Sequence, residues 1–207
     1  VKQSYNIKEI YKTIQGEGKY AGRMVVILRF ANCNLSCPWC DTDYKGGERV
    51  SLAKIVGEVL RAYGARPPRE SDYRKSRATV IATGGEPLLQ LDKELTWELS
   101  QAGFNLHVET NGTIDRPMLP IEHLTVSPKP DTHLKITVGD ELKLVWPQPG
   151  FKYRHLVEFE KLAFGRHSLQ PMDDDNLEAN IQECLDIIWI RPTWELSLQL
   201  HKMVGIK

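Results

Sequence analysis

The chain has no charge imbalance: 27 lysines and arginines stand against 27 aspartates and glutamates in 207 residues. A polyanion binder carries a basic surplus, so the balance argues against a nucleic-acid partner and leaves any charged ligand to local groups. No run of about 18 apolar residues occurs, which excludes a membrane-spanning helix, and the opening VKQSYNIKEIYKTIQGEG lacks the apolar centre of a signal peptide. A soluble, cytoplasmic protein is expected. Internal repeats and low-complexity tracts are missing too. Segment 64–77, GARPPRESDYRKSR, is polar, basic and proline-containing and is expected to be a loop, so residues 1–207 are expected to form one domain. Cysteine is scarce, with four in all and Cys184 isolated from the rest, so no disulfide framework is available.

What is present alternates. Apolar β-rich runs fall at 24–30, 78–84, 104–110, 123–129, 141–146 and 166–171. Between them lie helical patterns. SLAKIVGEVLRAYG carries Leu52, Ile55, Val56, Val59 and Leu60 on one face behind a Ser51 N-cap and ends at Gly64. EPLLQLDKELTWELSQAG repeats that logic up to Gly103, and DNLEANIQECLDIIWI places Leu177, Ile181, Leu185 and Ile188 on a stripe before Pro192. Cys184, beside that stripe, is expected to be a packed core thiol. The alternation predicts an α/β fold with largely parallel strands, whose chemistry sits at the carboxyl ends of the strands.

The other three cysteines crowd into CNLSCPWC, Cys33, Cys37 and Cys40, spaced C-x3-C-x2-C. Two objects suit three thiolates on one loop. Zinc could take all three with a distant histidine or Cys184 as the fourth ligand, which would make the protein a zinc-stabilised adaptor without catalysis. A 4Fe-4S cube could take one thiolate at each of three irons and leave the fourth iron open to a small molecule.

CNLSCPWC resembles the cluster motif of the radical S-adenosylmethionine superfamily, and it follows an apolar strand as that superfamily's cluster loop does. The resemblance implies a 4Fe-4S cluster on Cys33, Cys37 and Cys40, with Trp39 against the adenine of S-adenosylmethionine. TGGEP (83–87) is similar to the superfamily's GGE motif, so Gly84, Gly85 and Glu86 are expected to hold the methionine end. Taken alone, TGGEP is also a turn followed by a helix with Pro87 at its first position. ETNG (109–112) and SPK (127–129) stand where the superfamily contacts the ribose and carboxylate, which implies roles for Glu109, Asn111, Ser127 and Lys129.

The likeness narrows across residues 10–42, IYKTIQGEGKYAGRMVVILRFANCNLSCPWCDT, which resemble the 7-carboxy-7-deazaguanine synthase family. GDELKLVWPQ (139–148), SLQPM (168–172) and WELSLQLHKMVGI (194–206) carry the same likeness, and Gln148 joins the expected cofactor contacts. Where many members place a proline after the final Gly-Ile pair, this chain has Lys207. The resemblance implies an abbreviated radical SAM partial barrel, approximately (βα)6, in which the strand and tail at 194–207 close the substrate pocket. It also implies conversion of 6-carboxy-5,6,7,8-tetrahydropterin to 7-carboxy-7-deazaguanine with loss of ammonia, on the route to queuosine. A flavodoxin or ferredoxin as reductant and a homodimer are expected on the same ground.

A pterin edge offers an amide and amidine pattern that Gln15 and Glu17 in QGEG can read. Arg29, late in an apolar strand, needs a partner: a substrate carboxylate, or an internal salt bridge to Glu17 or Asp41. Thr83 and His201 match pocket positions of the family, though each is otherwise an ordinary packing residue. The resemblance further implies that the Thr42 hydroxyl, a hard oxygen donor, binds Mg2+; read alone, Thr42 is a helix or turn cap with Asp41 and Asp43. A glycyl-radical activating enzyme is the rival within the superfamily, and QGEG, Arg29 and Thr42 favour the pterin enzyme over it.

Overall fold

The computed structural model describes residues 4–64 and 78–207. Along them run β1 (Ser4–Ile14), β2 (Met24–Phe30), β3 (Glu48–Ser51), α1 (Leu52–Tyr63), β4 (Ala78–Gly84), α2 (Lys93–Gln101), β5 (Phe104–Thr110), β6 (His123–Val126), β7 (Val138–Trp146), α3 (Tyr153–Phe159), β8 (Ala163–Pro171), α4 (Leu177–Ile190), β9 (Trp194–Leu196) and α5 (Leu200–Met203). Of the described residues, those within Val1–Gln15, Arg23–Thr110 and Pro117–His123 form one compact unit. Those within Gly16–Gly22, Asn111–Arg116 and Leu124–Lys207 form a second. No helix among the described residues is long and apolar enough to cross a membrane.

In the first unit the strands run β3-β1-β2-β4-β5, with β2, β4 and β5 parallel and β1 antiparallel to both of its neighbours. Strand side chains alternate between faces, so the register Ile27↔Ile81↔His107 and Arg29↔Thr83 defines layers. Val25, Ile27 and Ile81 pack with Tyr11 on one face, and one step further along the strands that face carries Arg29, Thr83 and Glu109. Helix α1 packs on β1 and β2, and α2 on β5. Helix α1 starts as its sequence dictates: the Ser51 hydroxyl accepts the Lys54 N–H at 3.4 Å, and Gly64 closes it at φ 86°.

The single helix expected over 86–103 is instead a turn of 3-10 helix, Pro87–Leu89, followed by α2. Gln90 is the reason for the break. Its amide donates to the Ala31 carbonyl at 2.8 Å and accepts the Asn6 N–H at 2.7 Å, which fixes the chain outside the helical path. Asp92 then starts α2 by accepting the Leu95 N–H at 3.0 Å.

The second unit orders its strands β6-β7-β8-β9, all parallel. Leu142, Leu144, Trp146 and Leu169 pack against Leu156, Cys184, Ile187 and Trp194. Cys184 is a core thiol as expected: it is fully buried, its Sγ lies 3.7 Å from the Trp146 carbonyl, and burial pushes its pKa up to about 12. Glu160 accepts from Arg191 and from the Trp194 indole, and Arg191 holds its carboxyl below the usual glutamate range. The opposite face of β7 and β8 is polar yet enclosed: Glu141, Lys143, Ser168 and Gln170 are all buried. Strand β6 stops at Val126, short of the expected 129, because Pro128 has no N–H for a ladder. Strands β7 and β8 begin at Val138 and Ala163, earlier than their most apolar stretches. The expected loop at 64–77 lies, apart from Gly64, outside the described residues.

Candidate active site

After β2 the chain enters a stretch without helix or strand, 31–47, that carries the cysteine triplet. Its root is pinned by backbone hydrogen bonds, Ala31 N–H to the Asn6 carbonyl at 2.9 Å and Asn32 N–H to the Tyr44 carbonyl at 3.1 Å. Asn32 makes the turn at φ 73°, a left-handed conformation that asparagine tolerates. A second turn joins the Cys40 N–H to the Cys37 carbonyl at 3.2 Å.

All four cysteines are free thiols, with Cys33 and Cys37 half-buried and Cys40 exposed. Burial pushes the Cys33 thiol up, the Leu35 N–H at 3.4 Å pulls the other way, and Glu86, Cys37 and Cys40 each push it further up. Tyr44 is raised by burial and then by all three sulfurs, so the triplet shares one electrostatic environment. Among the described residues no three His, Cys, Asp or Glu side chains gather as ligands of a single ion. A cube carries each thiolate on its own iron and needs no such convergence, so three soft donors on one pinned loop fit it.

Trp39 is half-buried in the same loop. Thr42 is half-buried as well, and its hydroxyl has no partner among the described residues. Asp43 performs the capping instead, accepting the Lys45 N–H at 3.3 Å while pairing with Lys8 at 2.7 Å.

The end of β4 is stitched to that root. Gly85 N–H donates to the Phe30 carbonyl at 3.1 Å and Glu86 N–H to the Asn32 carbonyl at 2.9 Å. A Cβ on Gly85 would stand 1.9 Å from the Asn32 carbonyl oxygen, and one on Gly84, at φ 120°, 2.3 Å from that of Phe30. Only glycines allow this approach. The Glu86 carboxylate is fully buried and accepts from the Thr110 hydroxyl at 2.8 Å and the Leu88 N–H at 3.0 Å.

Three further expected site residues meet at the carboxyl ends of β1, β4 and β5. Glu109 accepts the Gln15 amide at 2.8 Å with one oxygen and the Thr83 hydroxyl at 3.3 Å with the other. Arg29 pairs with neither Glu17 nor Asp41. Its Nε donates to Glu9 at 2.8 Å and its Nη2 to the Tyr11 hydroxyl at 2.9 Å, because antiparallel pairing sets Glu9 opposite it. Burial alone would lower the guanidinium pKa, and Tyr11 and Glu9 outweigh it, so Arg29 stays charged.

In the second unit the QGEG turn is built around two missing side chains. A Cβ on Gly16 would fall 1.8 Å from the His201 Nδ1, and one on Gly18 2.6 Å from a Glu141 carboxylate oxygen. The His201 ring thus lies against bare backbone, held there by the Leu200 N–H to the Gly16 carbonyl at 2.9 Å. Glu17, between the glycines, forms an ion pair with Lys143 and accepts the Gln199 amide at 2.7 Å and the Gln170 amide at 3.3 Å. Asn111 accepts from Thr113 N–H at 2.9 Å and hydroxyl at 2.7 Å, and Lys129 donates to the Ser127 hydroxyl and carbonyl, each at 2.7 Å. Gln148 is buried; its Nε2 donates to the Val145 carbonyl at 2.8 Å, and its Oε1 has no partner among the described residues. An orphaned buried acceptor fits a donor brought by a ligand.

Sequence reasoning missed Lys143, Gln170, Gln199 and Glu141. For Glu141, Lys143 and Gln170 the available signal was the polar residue at every second position of two strands that a parallel fold encloses on both faces; Gln199, outside any strand, carried none.

No family model matches the chain. Curated relatives do. The 7-carboxy-7-deazaguanine synthase of Bradyrhizobium diazoefficiens is 41% identical over 217 residues, covering 99% of this chain and all of the relative. That of Nitratidesulfovibrio vulgaris is 40% identical over 228 residues, covering 98% and 99%. Among solved structures, the crystal structure of QueE from Escherichia coli superposes with a TM-score of 0.73 at 23% identity, covering 96% of this chain and 95% of that one, so the two share a fold.

Proposed function

The chain belongs to the 7-carboxy-7-deazaguanine synthase family, and from that premise we propose that it converts 6-carboxy-5,6,7,8-tetrahydropterin to 7-carboxy-7-deazaguanine and ammonia by radical ring contraction, in queuosine and related 7-deazapurine biosynthesis. The observation that carries the proposal is the cysteine loop stitched to a Gly-Gly-Glu strand end with no room for a Cβ at Gly85. Cys33, Cys37 and Cys40 would hold a 4Fe-4S cluster. Thr42, whose hydroxyl is otherwise unused, would bind Mg2+. When bound, the cluster and S-adenosylmethionine supply the 5′-deoxyadenosyl radical that exchanges one hydrogen with C6 of the pterin.

The chain's own residues bind and orient. Trp39 would lie against the adenine of S-adenosylmethionine. Gly84 and Gly85 leave the backbone bare for its methionine end, which Glu86 would also hold, and the open Gln148 oxygen accepts a donor of the same cofactor. Asn111, Ser127 and Lys129 would serve its ribose and carboxylate, and so would the Glu109 carboxylate that Gln15 and Thr83 fix. Arg29 uses two of its five N–H donors on Glu9 and Tyr11, and the rest suit the two oxygens of the substrate carboxylate. Glu17 and Gln15 read the amide and amidine edge, and His201 lines the same pocket. A flavodoxin or ferredoxin is the reductant, and the working form is a homodimer.

Anaerobic reconstitution with iron and sulfide, then incubation with reductant, S-adenosylmethionine, Mg2+ and the carboxytetrahydropterin, is expected to yield the deazaguanine. An intact cluster without that product overturns the substrate assignment.

A further inference from the structure

The first cysteine is reached through Phe30, Ala31 and Asn32, and the carbonyl of each is taken by the segment that follows β4. Gly85 N–H takes that of Phe30 at 3.1 Å, Glu86 N–H takes that of Asn32 at 2.9 Å, and the Gln90 side-chain amide takes that of Ala31 at 2.8 Å. We infer that Gln90 is a positioning residue for the cluster loop: by bracing the middle carbonyl of the three, it holds the Cys33 end of that loop at one spacing from the Gly-Gly-Glu backbone. The inference rests on the cofactor reading above, in which Cys33 carries an iron and residues 84–86 hold S-adenosylmethionine.

These residues all belong to the first unit. The ladder between β2 and β4 ends at the pair Phe30↔Gly84, so Ala31 lies one residue past it. Gln90 supplies there what a strand's backbone would, a donor and an acceptor on one planar amide. Its Oε1 accepts the Asn6 N–H at 2.7 Å. Its Nε2 also reaches the Asn6 carbonyl at 3.3 Å, which in turn accepts the Ala31 N–H at 2.9 Å. One amide, 8% exposed, thus joins β1, the loop root and the exit of β4. A short path delivers it. Pro87 opens the 3-10 turn, the Glu86 carboxylate caps that turn through the Leu88 N–H at 3.0 Å, and the Gln90 N–H closes on the Pro87 carbonyl at 3.0 Å.

The braces differ in kind. Those at Phe30 and Asn32 come from backbone N–H groups, whereas the one at Ala31 comes from a side chain, so a substitution can remove it alone. Length and chemistry both select glutamine. Asparagine is one methylene shorter, and glutamate keeps an acceptor for Asn6 but has no hydrogen for Ala31 unless it is protonated. Gln90 also walls an open cavity of 180 Å³ that Asn32 and Arg49 help to line, so water can enter where the side chain is cut back. Water satisfies a carbonyl without fixing where it stands. Shortening Gln90 therefore costs position more than it costs folding.

The test uses the whole chain, cluster-free and as reconstituted holoenzyme, with the variants Q90A and Q90E. In cluster-free Q90A the alkylation rate of Cys33 relative to Cys40, resolved by mass spectrometry, is expected to rise several-fold. Cys40 is the internal reference because it is exposed and its N–H turns locally onto the Cys37 carbonyl. In the Q90A holoenzyme the Kd for S-adenosylmethionine should rise roughly 3- to 10-fold, the range for one neutral hydrogen bond. Q90E should match Q90A at about pH 8.5 and approach the parent near pH 6, because its protonated carboxyl regains a hydrogen for the Ala31 carbonyl and burial favours that neutral form. The charged groups about position 90 are Arg49 across the cavity, whose Nε donates to Ser4 at 2.6 Å, and the neighbouring carboxylates of Asp92 and Glu86, which accept from Tyr5 and Thr110. Parent and Q90A share all three, so comparison at each pH removes their own titration.

A parental Cys33-to-Cys40 ratio in Q90A overturns the inference. So does a Q90E that tracks Q90A at every pH, and this arm decides if Q90A does not fold. The underlying reading fails separately: parent chain that takes up no iron, or holoenzyme that does not bind S-adenosylmethionine, defeats the cofactor assignment, whereas the cysteine ratio needs no cofactor at all.

Discussion

Adding one methyl group at Gly85 should undo the cluster loop, and the same change elsewhere in the chain should do the opposite. In Gly85→Ala the new Cβ would lie 1.9 Å from the Asn32 carbonyl oxygen, 2.4 Å from its carbon and 2.9 Å from the Cys33 nitrogen. All three are backbone atoms of the segment leading into the first cysteine, so relief requires moving that segment rather than rotating a side chain. Overpacking of this kind costs about 1 to 3 kcal/mol, and a backbone obstacle puts the cost near the upper end. For a protein of this size about 3 kcal/mol corresponds to a drop in Tm of roughly 6 to 12 °C. Gly57, inside α1, is the control, because a Cβ there meets nothing within 4 Å. Gly57→Ala should gain about 1 kcal/mol of helix propensity and raise Tm by roughly 2 to 4 °C. Thermal melts monitored by circular dichroism, with iron counted per chain after reconstitution, read both effects. If Gly85→Ala keeps its full iron content and melts with or above the parent, the close approach has no part in holding the cluster loop.

Cys184, with its thiol pushed up to about 12 inside the core, should be inert to a thiol reagent at pH 8 until the chain unfolds, so cluster-free native protein should titrate three cysteines and denatured protein four; a fourth fast thiol would refute the burial argument. Glu160 has its pKa lowered by Arg191, so the pair's contribution is fully present above the ordinary glutamate value of roughly 4.3 and is lost as pH falls through the folded-state value. Melting temperatures taken downward from pH 5 should therefore fall less steeply in Arg191→Met than in the parent, and parallel curves would count against the pair. Thr42→Ala should keep the iron content while losing the response of turnover to Mg2+, and an unchanged response would remove Thr42 from the metal.

Much of this was legible in the sequence because it rests on local chemistry. Strands β2, β4 and β5 are apolar enough to be seen without context, the Ser51 and Gly64 caps bracket α1, and the cysteine spacing sits in one loop. What escaped depends on distant partners. Strand β1 alternates weakly, since only Tyr5 and Ile7 are buried and its pairing with β2 shifts register between Ile7 and Glu9. That same pairing gives Arg29 the partner Glu9, which no spacing in the sequence announces. Gln90 breaks a helical pattern by reaching back to Asn6 and Ala31. Lys143 and Gln170 look like the wet face of an ordinary strand, and only the fold's enclosure of that face buries them.

The QGEG turn also sets an order of events in synthesis. Glu17 finds Lys143 126 positions later and Gln199 182 positions later, and Gly18 finds the Ser197 hydroxyl 179 positions later. A polypeptide emerging from the ribosome amino end first therefore exposes this turn until the residues 126 and 182 positions further on have been made. Contacts that span the chain in this way close late. Ser197, Gln199 and Leu200 supply the last of these contacts, so a nascent chain released before them would carry an unfilled polar seam.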